Sequence, residues 1–389
     1  MKKIVITHTD FRIYWPARLK ALEEELISYG IELYVIEIAG KGSPYAFAQR
    51  ADMPTSHWIT LFPHKEMEEL FPSEIKSRLI AQFEKINPDV IAAGAIAFPS
   101  GTIAAMWAKK YKKGIVIFDD AKMEDVPRGR ITNFIKKRIY RNIDAIMYPA
   151  YTWDETGLYW GFRKEQIFYG VDVVDNSFWK ITAEEKIGLK SVIIGVGRQI
   201  ERKNMDFLIR AFQQSNNANY ELILVGDGAE NEKLRQLAKE DSRIKFYPFL
   251  PQKELRELYK TASALVMPSK FETWGLVINE AMAAGLPVIA SNKCPAAEIL
   301  VKQGKNGYVF SPNNTESLKD TLNTFFSLTR AQQASMGKQS EKIISQWGLN
   351  KFSSEMFSAA NYAYHHKKKC KNILDKIILT LWKGRYRQA

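Results

Sequence analysis

The chain has 389 residues, of which 46% are hydrophobic and 25% charged, and it carries a formal net charge of +13. This length predicts two domains that each bury a core, and the composition is that of an ordinary globular protein. The two cysteines, Cys294 and Cys370, argue against a disulfide framework and favour a reducing compartment. The apolar run in MKKIVITHTD is too short for a signal peptide or a spanning helix, so we expect a cytoplasmic protein.

Short β-branched runs alternate with helical patterns through the first half of the chain. In chain order the predicted strands are KKIVITH, IELYVIEIA, PDVIAAGA, GIVIF and DAIMYPA, with helices such as ARLKALEEELISYG and TIAAMWAKKYKK between them. Strands separated by helices of this length indicate a parallel sheet with helices on both faces.

A second series of strands and helices begins at SVIIGVG and continues through YELILVGDG, RIKFYPFL, SALVMPS, LPVIAS and NGYVFSP. The predicted fold is α/β, with two doubly wound Rossmann-like domains facing a central cleft, where the carboxyl ends of both sheets bind ligands. The predicted parts are an N-terminal domain (1–170), a linker (171–190), a C-terminal domain (191–350), a helix returning to the N-terminal domain (351–366) and a basic tail (367–389).

The stretch GVGRQIERKNMDF follows the first strand of the second series and is suited to a phosphate. Gly197 lets the backbone approach a phosphate, the next helix presents free N–H groups, and Arg198 and Lys203 can neutralise a diphosphate. The alternative is that these cations are solvated loop residues, and the stretch alone leaves both interpretations open. It is not a dinucleotide fingerprint, because the third glycine of that motif is missing.

Two glutamates lie eight positions apart in PSKFETWGLVINEAMAAG, among mostly apolar neighbours. Ionised carboxylates removed from water need partners, from the protein or from a ligand. Glu272 falls in a loop and Glu280 in a helix that begins near Gly275, so the carboxylates can span about 10 Å, the reach of a sugar nucleotide. The GDG of LVGDGAENEKL is equally explained by a tight strand-to-helix turn.

These motifs occur in a characteristic order. The E-x7-E spacing followed by EAMAAGLPVIAS, with G-R-x4-K upstream, GDG between them and NGYVFSP downstream, resembles the retaining glycosyltransferases of family GT4. The stretch YGVDVVDNSF is also similar to that family, so the resemblance covers residues 170–345. It implies the GT-B fold, with a nucleotide-sugar donor in the C-terminal domain and an acceptor in the N-terminal domain.

The resemblance also implies roles for single residues. The implied donor contacts are Gly197, Arg198, Lys203, Gly275 and Leu276 for the diphosphate, Glu280 for the ribose, Phe249 and Leu250 for the base, and Glu272 for the sugar. Glu272 is then the catalytic residue that positions the sugar, while the acceptor attacks from the face that the leaving group departs from. Cations and a helix N-terminus stabilise the departing diphosphate.

The chain departs from the family pattern at two places in the donor motif and at two in the acceptor half. The family commonly has EGFG where this chain has ETWG, so we expect Thr273 and Trp274 to influence the choice of sugar. The histidine that many members carry after the strand corresponding to GIVIF is replaced here by the sequence FDD, and the family's usual glycine-rich loop after the first strand is replaced by HTDFRIYWPAR.

Five acceptor candidates follow from these differences. Asp119, which we favour, or Asp120 can orient or deprotonate an acceptor hydroxyl, although an aspartate there can equally cap the next helix. Asp10, Tyr14 and Trp15 can line an acceptor pocket, or the aromatic rings can simply pack the domain.

The sequence predicts transfer without a metal or an organic cofactor. The histidines form no ligand pattern, and FDD and VDVVD are weak candidates for an Asp-x-Asp site. A diphosphate bound by Arg198, Lys203 and a helix end does not require a divalent ion. The co-substrate is a nucleotide-diphosphate sugar, and the residues do not distinguish a UDP from a GDP form.

The basic tail indicates a membrane surface. Between Lys367 and Ala389 there are eight Lys or Arg residues and one acid, Asp375, and the helix KNILDKIILTLWKGRYR has one apolar side. Such a helix suits an anionic bilayer, so we expect residues 371–387 to dock on the inner face of the plasma membrane. The alternative is that the helix packs on the protein. A second basic helix, RGRITNFIKKRIYR, favours a membrane over nucleic acid, for which no recognition motif is present.

The sequence therefore predicts a membrane-peripheral retaining glycosyltransferase of the hexosyl or N-acetylhexosaminyl type. It would move a sugar from a nucleotide diphosphate to a lipid-linked or membrane glycan acceptor. Two alternatives remain: a sugar-nucleotide epimerase of the same fold, which needs no acceptor, and a non-catalytic protein that binds a sugar nucleotide or docks on membranes.

Overall fold

The computed structural model describes residues 1–41, 55–182, 184–185, 191–216, 219–370 and 372–384. The chain divides into two compact units, one of Met1–Val173 with Leu349–Ala389 and the other of Val174–Gly348. The first unit is therefore built from both ends of the chain. Most of the predicted linker 171–190 belongs to the second unit, and its residues 183 and 186–190 lie outside the described residues.

The first unit contains a seven-stranded parallel sheet in the order β3-β2-β1-β4-β5-β6-β7. Its strands are β1 (Lys3–His8), β2 (Glu32–Ala39), β3 (Trp58–Phe62), β4 (Val90–Gly94), β5 (Gly114–Phe118), β6 (Ala145–Tyr148) and β7 (Ile167–Tyr169). Every residue of β4, β5 and β6 is buried, as expected of central parallel strands with both faces covered.

Five helices connect these strands: α1 (Trp15–Ile27), α2 (Pro72–Ile86), α3 (Pro99–Lys110), α4 (Arg130–Tyr140) and α5 (Asp154–Trp160). Helix α2 shows why the local sequence is helical. A proline occupies its first turn, where a missing N–H has no consequence, and Asn87 ends it in the left-handed conformation. Its buried residues repeat at helical spacing and are Ile75, Leu79, Phe83 and Ile86.

The second unit contains a six-stranded parallel sheet in the order β10-β9-β8-β11-β12-β13. Its strands are β8 (Val192–Val196), β9 (Glu221–Val225), β10 (Ile244–Tyr247), β11 (Ala264–Met267), β12 (Val288–Ser291) and β13 (Gly307–Phe310). Its helices are α6 (Asn176–Trp179), α7 (Met205–Gln214), α8 (Asn231–Ala238), α9 (Gln252–Tyr259), α10 (Leu276–Ala283), α11 (Pro295–Leu300), α12 (Thr315–Phe326) and α13 (Arg330–Ile344).

Two further helices, α14 (Leu349–His365) and α15 (Ile373–Leu381), return the chain to the first unit. Helix α14 packs against α1 and β5, and α15 packs against α3 and α4. The chain between these two helices is fixed by the Lys368 backbone N–H, which donates to the buried carboxylate of Asp144 at 2.7 Å.

The strand orders confirm the predicted pair of doubly wound, Rossmann-like domains. In each sheet the chain moves outward on one side of the first strand and then on the other, the order of dinucleotide-binding folds. None of the helices in the described ranges has the length and apolar character needed to span a bilayer.

Candidate active site

The carboxyl ends of β8 and β11 form the centre of the predicted donor site. These strands are neighbours in the second sheet, and the strand order reverses at β8. Open α/β sheets bind ligands at such a reversal. Gly197 and Arg198 follow β8 and Glu272 follows β11, so two motifs that are distant in sequence lie at one edge of the sheet.

Lys203 and Glu272 form an ion pair, with 2.5 Å between Nζ and Oε1. Ser269 donates its hydroxyl to the same carboxylate oxygen at 2.6 Å. The charged side chains are only 12% and 9% exposed, so water screens their attraction incompletely. The structure thus brings together the residues predicted to meet the diphosphate and the sugar.

Gly226 and Gln199 join the loops after β8 and β9. Gly226 has a φ of 134°, and a Cβ built on it would lie 2.0 Å from the carbonyl oxygen of Gly197. The buried Gln199 amide donates to the Gly226 carbonyl at 2.9 Å and accepts from Asn231 at 2.6 Å. Sequence reasoning missed Gln199, whose only signal is its place directly after the Gly-Arg pair.

Asn204 is a second residue that sequence reasoning missed. It is buried, adopts the left-handed conformation at φ 57°, and ends the turn that carries Lys203. Its side-chain amide donates to the carbonyl oxygens of Pro268 at 3.1 Å and Pro312 at 3.4 Å. One side chain therefore holds the loops that follow β8, β11 and β13 in a fixed arrangement, which positions the Lys203–Glu272 pair.

Arg198 and the start of α10 supply positive charge to the same edge. Arg198 is half-buried, and in the described part of the chain no carboxylate forms an ion pair with it. Helix α10 begins at Leu276 after Gly275, whose φ of 108° is a conformation that favours glycine. The first N–H groups of a helix have no acceptor within it and attract anions.

Glu280 lies deeper than the other predicted donor contacts. Its side chain is buried and accepts a hydrogen bond from the Tyr259 hydroxyl at 3.5 Å. Burial, together with the Glu280 charge, raises the pKa of Tyr259 well above its usual value, so Tyr259 remains a neutral donor. Its contact with a ribose stays a prediction.

The residues predicted to choose the sugar and the base differ in exposure. Trp274 is 2% exposed, donates from its indole to the Asn279 side chain at 2.9 Å and stacks on Trp347. It can therefore shape a sugar pocket only through its neighbours. The other three residues are accessible: Thr273 and Leu250 are half-buried and Phe249 is exposed.

In the first unit both carboxylate oxygens of Asp119 have donors. One accepts from the Ala121 N–H at 3.1 Å and the other from the Tyr140 hydroxyl at 3.2 Å. Asp119 thus fixes its own loop, but it is not the predicted helix cap, because the next helical turn begins after Lys122. Its proposed catalytic role stays a prediction. The backbone carbonyl of Asp120 accepts from the Trp153 indole at 3.1 Å, which fixes the same loop.

Asp10 lies directly after β1, at the carboxyl edge of the first sheet. Its side chain is buried, and this burial raises its pKa to about 6, while Arg12 opposes and Glu37 reinforces the shift. Tyr14 and Trp15 are half-buried and lie beneath the guanidinium of Arg18. Burial therefore makes this carboxyl at the sheet edge a weaker acid than an exposed aspartic acid.

The ring of Trp15 takes part in an aromatic cluster centred on His8. The His8 ring lies 6.1 Å from Trp15, 5.3 Å from Phe98 and 5.5 Å from Phe118. Burial lowers the pKa of His8 to about 4, so the imidazole is neutral at pH 7. These contacts support the packing alternative for Trp15. Sequence reasoning missed His8, although it ends a predicted strand.

In the part of the chain that the structure describes, no group of three or more His, Cys, Asp or Glu side chains has a metal-binding arrangement. The positive groups at the carboxyl edge of the second sheet are Arg198, Lys203 and the N-terminus of α10. Metal independence stays a prediction that requires measurement.

Comparison with known proteins gives a family for the second unit. Residues 177–343 match the family described as glycosyl transferases group 1. The chain is 31% identical over 185 residues to the sulfoquinovosyl transferase of Arabidopsis thaliana, covering 46% of this chain and 36% of the relative. It is 35% identical over 130 residues to O-antigen chain mannosyltransferase B of Escherichia coli, covering 32% of this chain and 33% of that one. The matching segments thus span about a third of the length of these curated relatives.

The fold comparison extends over nearly the whole chain. The structure of the Anabaena protein HepE in complex with UDP-glucose superposes with a TM-score of 0.69 and 18% identity, covering 92% of this chain and 100% of that one. Such a likeness shows the fold, and the predicted GT-B fold is confirmed.

Proposed function

Because residues 177–343 belong to the group 1 glycosyl transferases, we propose that this protein transfers a sugar from a nucleotide-diphosphate sugar to a glycan acceptor. The observation that carries the proposal is the pairing of Lys203 with Glu272 at the strand-order reversal of the second sheet. The relatives are named as sulfoquinovosyl and mannosyl transferases, and a structural neighbour was solved with UDP-glucose.

The charges at the carboxyl edge of the second sheet are suited to the departure of a diphosphate from the donor. Arg198, Lys203 and the N-terminus of α10 stabilise the departing diphosphate, and Glu272 positions the sugar through the carboxylate that now pairs with Lys203. Transfer is proposed to be metal-independent, since fixed cations and N–H groups neutralise the developing charge. It is proposed to be retaining on the resemblance of the donor motifs to retaining glycosyltransferases.

The acceptor is proposed to be a lipid-linked or membrane glycan. The basic character of residues 367–389 and the O-antigen relative support this choice. The protein would then act at the inner face of the plasma membrane, docked through its tail on anionic lipid. Part of the predicted docking segment 371–387, namely Lys371 and residues 385–387, lies outside the described residues.

Titration of the full chain with UDP and GDP sugars tests the proposal, with Lys203→Ala as the variant. Loss of a charge-assisted contact to the diphosphate should weaken donor binding by about tenfold or more. Lys245→Ala is the matched control, because Lys245 also pairs with a glutamate, Glu221, at 2.6 Å but through exposed side chains on β10 and β9. Donor binding by Lys203→Ala at the parent affinity would contradict the proposal.

A further inference from the structure

Helices α4 and α15 of the first unit pack against each other, and each exposes large apolar side chains. The residues and exposed fractions are Ile131 78% and Phe134 53% on α4, and Ile373 73%, Leu374 44%, Ile377 48% and Leu381 69% on α15. We name these six residues the α4–α15 face.

A shared contact holds the two helices together. Arg138 of α4 forms an ion pair with Asp375 of α15 at 2.5 Å. The Arg138 guanidinium also lies 5.9 Å from the centre of the Phe134 ring. Arg138 therefore contacts Phe134 and α15 at once, and the exposed apolar residues are carried by two helices that pack against each other.

The opposite side of α15 is packed on the protein. Leu379 is 5% exposed, and the indole of Trp382, just after the helix, donates to the Ile96 carbonyl at 2.8 Å. The two alternatives that the sequence left open therefore apply to opposite sides of one helix: one side docks on the first unit, and the other remains exposed.

The charges around the face favour an anionic partner. Helix α4 has no acid in its eleven residues; of its four Lys or Arg residues, Lys136 is buried and Arg138 is paired with Asp375, which leaves Arg130 and Lys137. The single acid of α15, Asp375, is already paired with Arg138, while Arg130, Lys376 and Lys383 are exposed near the apolar residues. A second copy of this chain would bring like charges together, whereas a bilayer with anionic headgroups is complementary in both apolar character and charge.

We propose that the α4–α15 face docks on an anionic lipid bilayer, with Ile131 and Phe134 of α4 inserting beside the exposed side of α15. The inference deepens the proposed docking of the tail and rests on that part of the proposed function. It adds α4, which lies more than two hundred residues before α15 in sequence, to the lipid contact of the tail.

The position of the face also bears on the acceptor. Trp382 binds the carbonyl of Ile96, and Ile96 lies in the loop after β4, at the same carboxyl edge of the first sheet as Asp10. The end of α15 therefore lies at the edge that carries the predicted acceptor residues, and a bilayer against the α4–α15 face would be separated from that edge by a helix diameter of about 10 Å. Transfer to a lipid-anchored glycan requires such proximity.

Vesicle binding by the full chain tests the proposal, with Phe134→Ser as the variant and Phe71→Ser as its matched control. Phe71 is 69% exposed in the same unit but lies at the start of α2, away from the face. On vesicles of phosphatidylglycerol and phosphatidylethanolamine in equal parts, we expect Phe134→Ser to bind about tenfold more weakly and Phe71→Ser to bind like the parent. None of the three proteins should bind vesicles of phosphatidylcholine alone.

Three outcomes would overturn the inference. If Ile377→Ser on α15 weakens binding but Phe134→Ser does not, the tail alone docks and the proposed function stands. If the parent binds no vesicle, docking fails altogether, while donor titration on the same samples still reports on the transferase. If light scattering shows a dimer that Phe134→Ser dissociates, the face contacts a second copy of the chain.

Discussion

The Lys203–Glu272 ion pair places opposite charges where a donor with both an anionic and a neutral part is predicted to bind. Each side chain is largely buried, so removing one partner leaves a poorly solvated charge behind. In the proposed function, a diphosphate bound by Lys203 would replace the glutamate as its partner, and Glu272 would then accept hydrogen bonds from hydroxyl groups of the sugar. The ion pair would thus be the arrangement of the unliganded site, and each charge would gain a new partner when the donor binds.

Asp10 predicts a pH dependence of stability. Burial raises its pKa from 3.8 to about 6, so folding favours the protonated carboxyl. The stability that the protonated carboxyl gives the folded protein is complete below 3.8, the pKa in the unfolded chain, and is lost as pH rises through about 6, the pKa in the folded protein. Asp10→Asn keeps a neutral side chain at all pH values, so the variant should be more stable than the parent at neutral pH, by at most about 3 kcal/mol. The measurement is the thermal unfolding of the parent and of Asp10→Asn at pH values from below 3.8 to above about 6.

Asp89 provides the matched control because its pKa moves the other way. Partial burial acts to raise its pKa, but hydrogen bonds from the backbone N–H groups of Lys2 and Lys3 lower it overall. Its stabilisation is therefore present above the unfolded pKa and lost as pH falls, so Asp89→Asn should destabilise the protein at neutral pH. A stability difference between Asp10→Asn and the parent that does not change with pH would show that ionisation of Asp10 is not its cause.

Sequence patterns identified Lys203 and Glu272, which the structure pairs, but not the amides that hold the loops around them. Lys203 and Glu272 were predictable because each stands at a fixed spacing within a local motif. Gln199 and Asn204 were not, since each bonds backbone carbonyl groups that are distant in sequence, such as Gly226 and Pro268. Any residue offers a backbone carbonyl, so such a contact leaves no mark in the sequence.

At the scale of elements, the turn after β9 predicts a large effect of one methyl group. A Cβ on Gly226 would lie 2.0 Å from the Gly197 carbonyl oxygen, and the backbone φ of 134° disfavours any other residue. Gly226→Ala must therefore separate the loops after β8 and β9. We expect a loss of stability of about 2 kcal/mol or more, with weaker donor binding, measured by chemical unfolding and titration.

Gly304 is the control for backbone conformation alone. It also has a positive φ, 71°, but a Cβ there would meet nothing within 4 Å. Gly304→Ala should destabilise the same unit by only about 1 kcal/mol and leave donor binding unchanged. Equal effects of the two substitutions would show that contact between the loops is unimportant.

The elements themselves were predictable to different degrees. Strands such as β5 and β8 are buried β-branched runs between glycines or turns, a pattern that specifies them locally. The edge strands β3 and β7 were missed, because Trp58–Phe62 is only partly buried and Ile167–Tyr169 has three residues. For α15 the apolar side was recognised, but periodicity does not distinguish the part that packs on α3 and α4 from the part left exposed.

At the scale of the whole molecule, the chain ends in the unit where it begins. Asp144 shows how this return is fixed, because its buried carboxylate accepts from Lys109 Nζ and from the Ile115 and Lys368 N–H groups. One acid thereby links α3, β5 and the segment that leads to α15. Burial acts to raise the pKa of Asp144, and it does so more strongly than the hydrogen bonds lower it.

Removal of residues 367–389 should therefore destabilise the first unit as well as abolish lipid binding. The deletion uncovers the surfaces of α3 and α4 that contact α15, and it removes buried Leu379 and the Trp382 hydrogen bond to Ile96. Loss of the Leu379 burial alone predicts a decrease of about 2 kcal/mol in the free energy of unfolding. Hydrogen exchange should rise in α3 and α4, while donor binding, which depends on the second unit, should remain. A truncated chain with the parent's exchange pattern in α3 and α4 would show that α15 does not pack on these helices.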